Sequence, residues 1–281
     1  MQQFQANISK LSSELQTPVQ YYLPIGTQKI ALNAALGKEI SLHFTGVINC
    51  IACGRVIKKS FNQGYCFPCL QSLAACDRCI IRPELCHFAA GTCRESEWGL
   101  VHCMQPHIVY LANTSGLKIG ITRERQVPTR WIDQGAIQAL PLYRVQSRLQ
   151  SGIVEVAFKQ KVGDKTNWRK MLSDKVEPLN LLAEREQLLA DPHSLLKVFT
   201  EHFQASDLEF LKEAHVINID YPVLALPPKI NALNLDKTPT IKGTLLGIKG
   251  QYLLLDTGVL NIRKYTGYEL QVTLAASTEE L

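Results

Sequence analysis

The apolar positions change period along the chain, and each change marks an expected element. The first twenty residues, opening MQQFQANISKLSSELQ, are sparse in apolar positions and read as a short amphipathic or frayed arm. Between Tyr21 and Ile48, near-alternation at Ile40, Leu42, Phe44 and Val47 predicts strands, with Gly46 as a bulge. The pattern then lapses from 49 to 106. It returns as two short apolar runs, Ile108–Ala112 and Leu117–Thr122, on either side of Asn113-Thr114-Ser115-Gly116. Runs of that length around turn residues predict a β-hairpin. A basic helical segment with Arg130 follows, then a loop or short strand over 136–142. Val145, Leu149, Ile153 and Val156 step by three and four, which predicts a helix with Glu155 off its apolar stripe and Gly152 as a weak point.

Further on, Asp164 or Thr166 is the expected N-cap of a helix carrying Met171 and Leu172, ended by Glu177-Pro178. LNLLAEREQLLA and SLLKVFTEHF read as helices parted at Asp191-Pro192. The proline-rich VLALPPKINALNLDKTP marks a boundary. After it comes a glycine-punctuated meander of short strands, a small barrel or sheet extension. The Tyr21–Ile48 strands are candidates to pair with those of 240–272. The chain therefore reads as α+β. Its expected divisions are an arm and strands (1–48), a Cys-rich module (49–106), a small α/β core (107–175), a helical segment (176–228) and a β-rich end (229–281).

Composition sharpens the middle. Charged residues make up 20% and hydrophobic ones 46%, a globular balance, and the net charge of +5 permits nucleic-acid binding without requiring it. The positive charge is concentrated. Lys118, Arg123, Arg125, Arg130, Arg144 and Arg148 face two acids between 116 and 150, and Arg55, Lys58 and Lys59 face none between 49 and 71. No run approaches the ~18–20 apolar residues of a membrane span, and the N-terminus lacks a signal-peptide core, so a cytoplasmic location with no membrane partner is expected. All nine cysteines lie between 50 and 103. In a reducing compartment such clustering points to metal ligands rather than disulfides. Cys50-x-x-Cys53 and Cys66-x-x-Cys69, with turns at Gly54 and Gly64-Tyr65, have the form of a tetrahedral zinc site. Cys76, Cys79, Cys86 and Cys93 are a candidate second zinc set, with Cys103, His87 or His102 competing as fourth ligand.

The central stretch IVYLANTSGLKIGIT resembles the paired motif of the GIY-YIG endonuclease superfamily, in the divergent branch whose second half reads KIG. Val109-Tyr110-Leu111 stands at the first tyrosine motif and Lys118-Ile119-Gly120 at the second. Arg130 stands where the family has its arginine, and Glu155 is the candidate for its metal-binding glutamate. The resemblance covers about residues 107–170 and implies a metal-dependent nuclease of DNA or RNA. The zinc arm, RWIDQGA and TNW also resemble an uncharacterised bacterial family of unknown function. In the nuclease reading Glu155 holds Mg²⁺ or Mn²⁺, Arg130 forks a phosphate, and Tyr110 or Lys118 takes a proton from water. Arg55, Lys58, Lys59, Arg123, Arg125 and Asn167 are the candidate contacts to nucleic acid. The structural alternatives are sheet packing for Tyr110, an edge charge for Lys118, a solvated helix face for Glu155, a helix cap for Asn167 and a plain helix end at Gln134-Gly135. The competing function is a zinc-stabilised adaptor without catalysis.

Overall fold

The structure, a computed structural model, describes residues 2–159, 161–163, 165–173 and 175–275. It is an α+β protein built on antiparallel sheets. The chain opens with β1 (Gln2–Asn7), β2 (Ser12–Glu14), β3 (Gln20–Ile25), β4 (Gln28–Ala31) and β5 (Glu39–Ile48). The cysteine-rich stretch holds only two short helices, α1 (Phe67–Ser72) and α2 (Ser96–His102), among 3-10 turns. Then come β6 (His107–Asn113), β7 (Leu117–Arg123), α3 (Thr129–Asp133), β8 (Gln138–Val145) and α4 (Arg148–Lys159). Next are α5 (Trp168–Met171), α6 (Leu181–Leu188), α7 (Pro192–Thr200), β9 (Glu209–Phe210) and β10 (Ile217–Asn218). The described chain closes with β11 (Thr240–Lys249), β12 (Tyr252–Leu255), β13 (Gly258–Asn261) and β14 (Tyr268–Leu274).

Two compact units result, 1–70 with 219–281, and 71–218. In the first, six strands run in the order β1-β14-β5-β11-β12-β13, and β2, β3 and β4 form a second sheet. The two ends of the chain do pair. Leu42 sits in register with Ile241 on one side and Val272 on the other, and all three are buried. Residues 2–7 form an edge strand along β14 rather than a frayed arm. The expected bulge lies at Gly46, which has φ +92°, where β5 gains residues against β14. Gln251 is a buried tie: its side chain accepts from the Leu11 N–H (2.8 Å) and donates to the Leu11 carbonyl (3.0 Å).

In the second unit the order is β10-β8-β6-β7, with β9 also on β8. Val109, Leu111, Ile119, Leu140 and Leu142 form one core with Val154 and Phe158 of α4 and with Leu181, Leu195 and Phe199. The buried face of α4 differs from the stripe read in the sequence. Ser151, Val154, Glu155 and Phe158 are buried, whereas Val156 is exposed. These positions share one face at helical spacing, so Glu155 lies on the buried side and not off it. Gly152 has a reason to be there: a Cβ would fall 2.6 Å from the Pro83 carbonyl carbon, in the 3-10 turn Pro83–Leu85 docked on the helix. Helix α5 is capped by Asn167, whose side-chain oxygen accepts from the N–H groups of Arg169 (3.1 Å) and Lys170 (3.2 Å). Thr166 is not the cap, because its hydroxyl is turned to Thr114, and Asp164 lies outside the described residues. Among the described residues, no helix is long and apolar enough to cross a membrane.

Candidate functional site

Two constellations stand out, one of thiols and one of buried polar groups. The thiol site begins where β5 ends. Gly54, at φ +74°, turns the chain so that its N–H reaches the Cys50 carbonyl (2.8 Å). Phe61 bridges Tyr65 around Asn62, Gln63 and Gly64, all at positive φ, which brings Cys66 back beneath Cys50. The Sγ atoms of Cys50, Cys53, Cys66 and Cys69 all lie within 4.8 Å of one another, and Cys53 and Cys66 are 3.8 Å apart. A tetrahedron with metal–sulfur bonds of about 2.3 Å has edges of about 3.8 Å, so the donor set fits a structural zinc ion. The backbone prepares for thiolate: the Cys66 N–H reaches Cys50 Sγ (3.2 Å) and the Cys69 N–H reaches Cys66 Sγ (3.5 Å). Burial raises the Cys50 thiol, but the N–H groups of Cys53, Cys66 and Ala52 outweigh it and bring it down to about 6. Cys69 is pushed up to about 12, first by Cys66 and then by burial. Four sulfurs this close cannot all ionise without a cation among them.

The second cysteine set is arranged differently. Asp77, Cys79 and His87 form a close group. Asp77 is already paired with Arg94 (2.8 Å) and His87 (3.4 Å), and His87 Nδ1 is 2.8 Å from the Thr92 hydroxyl. Cys86 and Cys103 share a side-chain hydrogen bond. His102 stacks on Trp98 at 4.0 Å and donates from Nδ1 to the Trp98 carbonyl (2.9 Å).

The polar centre is built on the hairpin. Tyr110 and Gly120 are cross-strand partners, and a Cβ at 120 would lie 2.8 Å from the Tyr110 oxygen. Only glycine leaves space for that ring. Trp131 of α3 meets it edge-on, with centroids 5.8 Å apart. The Tyr110 oxygen accepts from Gln134 Nε2 (2.6 Å), and the other end of that amide, Oε1, accepts from Lys118 Nζ. Lys118 also reaches the Thr166 hydroxyl (3.4 Å), which pairs with Thr114 (2.9 Å). Burial pushes the Tyr110 phenol up, against the pull of the Arg130 guanidinium and the Gln134 hydrogen bond. The Glu155 charge also reaches the phenol and adds to the rise. Glu155 itself pairs with Lys159 (3.3 Å). Gln134 thus links Tyr110 to Lys118, and the charges of Arg130 and Glu155 reach the same phenol. Three of the four lie inside the protein, with exposures of 1% for Tyr110, 7% for Lys118 and 9% for Glu155, while Arg130 is half-exposed. Lys118 lies on the edge strand β7, yet it points inward and is not a solvated edge charge.

The candidate phosphate contacts are scattered by comparison. Arg55 Nε lies 3.2 Å from Cys53 Sγ, and exposed Lys59 stands 5.3 Å from the centre of the Phe61 ring. Lys58 and Arg125 are exposed, while half-buried Arg123 bonds Gln126 (3.2 Å). The Asn167 amide oxygen is engaged in its cap. Three members of the centre escaped the sequence reading: Gln134, Thr114 and Thr166. Gln134 had one usable signal, since it lies one helical turn past Arg130. Comparison with curated proteins and with solved structures finds no match. Over residues 37–270 the chain matches the family model described as "Protein of unknown function (DUF2797)", and it belongs to that family.

Proposed function

We propose that the polar centre is a phosphodiester-cleaving site of GIY-YIG type acting on nucleic acid. The observation that supports this most is that Tyr110 shares the Gln134 amide with Lys118 and lies within reach of the charges of Arg130 and Glu155. Burying a lysine and a glutamate costs several kcal/mol unless they are used or fully paired, and such clusters mark functional sites. In this reading Arg130, half-exposed at the rim, binds the phosphate and neutralises its developing charge. Gln134 fixes the positions of Tyr110 and Lys118 relative to each other. Tyr110 keeps its proton at neutral pH, so it orients the reacting groups through its hydroxyl. Glu155 is the carboxylate that would hold Mg²⁺ or Mn²⁺, with Lys159 displaced; such an ion supplies Lewis acidity. The four-thiol site holds its fold through zinc, and its exposed Lys58 and Lys59 contact backbone phosphates.

One observation favours the adaptor reading instead: the centre is enclosed, and its amide and ammonium satisfy one another. The deciding experiment incubates labelled single-stranded, duplex and branched DNA and RNA with the protein and Mg²⁺ or Mn²⁺. Cleavage by the wild type, lost in Glu155→Gln and Arg130→Ala at unchanged zinc content, is the expected result. Salt-sensitive binding with no cleavage in any condition would leave the adaptor.

A further inference from the structure

Residues 75–106 fold almost without a core. The buried residues of that stretch are Cys79, Pro83, Gly99 and Cys103, while Ile81 is 79% exposed and Leu100 and Val101 are each 56% exposed. A segment of short 3-10 turns and one seven-residue helix needs a staple when its apolar side chains face water.

Its cysteines are placed to supply one. Cys103 caps the C-terminus of α2 and shares a hydrogen bond with Cys86. Cys79 lies within electrostatic reach of Cys86, Cys93 and Cys103. The Phe88 N–H reaches Cys86 Sγ two residues on, as the Ala52 N–H does for Cys50 in the first site. Gly99 leaves room for the Phe88 ring, which a Cβ there would meet at 2.6 Å, and it brings α2 alongside Cys93, whose Sγ would lie 3.2 Å from that Cβ. Arg148, the first residue of α4, binds this framework from one side. It donates from Nε to the Cys79 carbonyl (3.2 Å), from Nη2 to the Ile80 carbonyl (2.6 Å) and from its own N–H to the Cys103 carbonyl (2.8 Å). Its positive charge also reaches Cys79, Cys86 and Cys103 and offsets the double negative charge of a tetrathiolate around a divalent ion.

We propose that Cys79, Cys86, Cys93 and Cys103 hold a second thiophilic divalent ion, zinc, as the core that residues 75–106 otherwise lack. Cys103 thereby replaces Cys76 in the spacing-based set, and His87 is left to its pairing with Asp77 and Thr92. Among the described residues only the first site has four thiols all within 4.8 Å of one another, and Cys79 is grouped at that distance with Asp77 and His87 rather than with the other three thiols, so the second site draws in on binding.

The test is metal stoichiometry of the full chain by native mass spectrometry, with cobalt substitution to read the donor set. Two zinc ions per chain are expected. Cys86→Ser and Cys103→Ser should each lose one, and Cys76→Ser and His87→Ala should keep both. Cys86→His controls for misfolding: it should retain the second ion with a cobalt spectrum shifted toward mixed sulfur–nitrogen ligation. One zinc per chain in the wild type would overturn the proposal. So would loss of the second ion in Cys76→Ser or His87→Ala, or a native mass two hydrogens light from a Cys86–Cys103 disulfide.

Discussion

The four-thiol site and the polar centre solve the same problem, gathering polar donors at one point, by opposite means. The thiols arrive from twenty residues of chain, 50 to 69, and are aimed by backbone turns. The centre draws on β6, β7, α3 and α4 and on the loop at Thr166, and only the closed sheet brings these together. One site has a donor set that fits a metal ion. The other is organised by tertiary packing and carries its own counter-groups. The first should therefore depend on metal, and the second on steric fit and proton balance.

The largest effect should come from chelation. Apparent zinc affinities of small structural sites are worth about 10–16 kcal/mol, so stripping the metal should abolish hydrogen-exchange protection over 50–69. Protection in β6 and β7 should survive. If 50–69 stays protected after verified metal loss, the contrast collapses. Acid should act on the other unit. Burial holds His107 down at about 4, with its Nδ1 donating to the Gln105 carbonyl (2.7 Å). Its folded pKa is below the unfolded value of about 6.5, so the unfolded state takes up the proton first. Stability is whole above about pH 6.5, falls by about 3 kcal/mol as pH drops to about 4, and changes no further through this group below that. All three tryptophans, Trp98, Trp131 and Trp168, lie in the 71–218 unit, so denaturation followed by their fluorescence reads it alone. The pH slope should vanish in His107→Gln; a slope that persists there would assign the acid sensitivity elsewhere.

The smallest effects separate two glycines. Gly120→Ala drives a Cβ into Tyr110 and should cost about 2–3 kcal/mol, with part of the loss recovered in the double variant with Tyr110→Phe. Gly54→Ala meets nothing within 4 Å and bears only the strain of its φ of +74°, about 1 kcal/mol. Equal costs in urea denaturation would mean that the Tyr110 ring has more freedom than its packing implies.

The same contrast explains what could be read from the sequence. The first thiol site was legible because its ligands, turns and spacing are all local. The hairpin was legible because β6 and β7 are two short apolar runs on either side of the turn residues Asn113-Thr114-Ser115-Gly116. The cluster's inner wiring was not. Gln134 has the sequence context of a helix end, and Thr114 that of a turn, until the sheet closes over them. The solvated alternatives for Glu155 and Lys118 fail because their burial depends on partners distant in sequence, although charge normally signals solvent. The polar QQFQAN gives little strand signal because β1 is an edge with its residues exposed or only half-buried. Gly152 looked like a flaw in a helix because its reason, the Pro83 turn, lies far upstream.

The pairing of β5 with β11 and β14 has a consequence for synthesis. The partners of β5 lie beyond residue 239, and the whole 71–218 unit is made in between. At about 5–20 residues per second, a nascent chain carries β5 without either neighbour for roughly 10–40 s. During that interval the inner unit can complete its sheet on the ribosome while the strands ahead of it wait with open edges. Translation speed across residues 71–239 thus sets how long those edges are available to aggregate, and a trigger-factor-like holdase would have its strongest effect there.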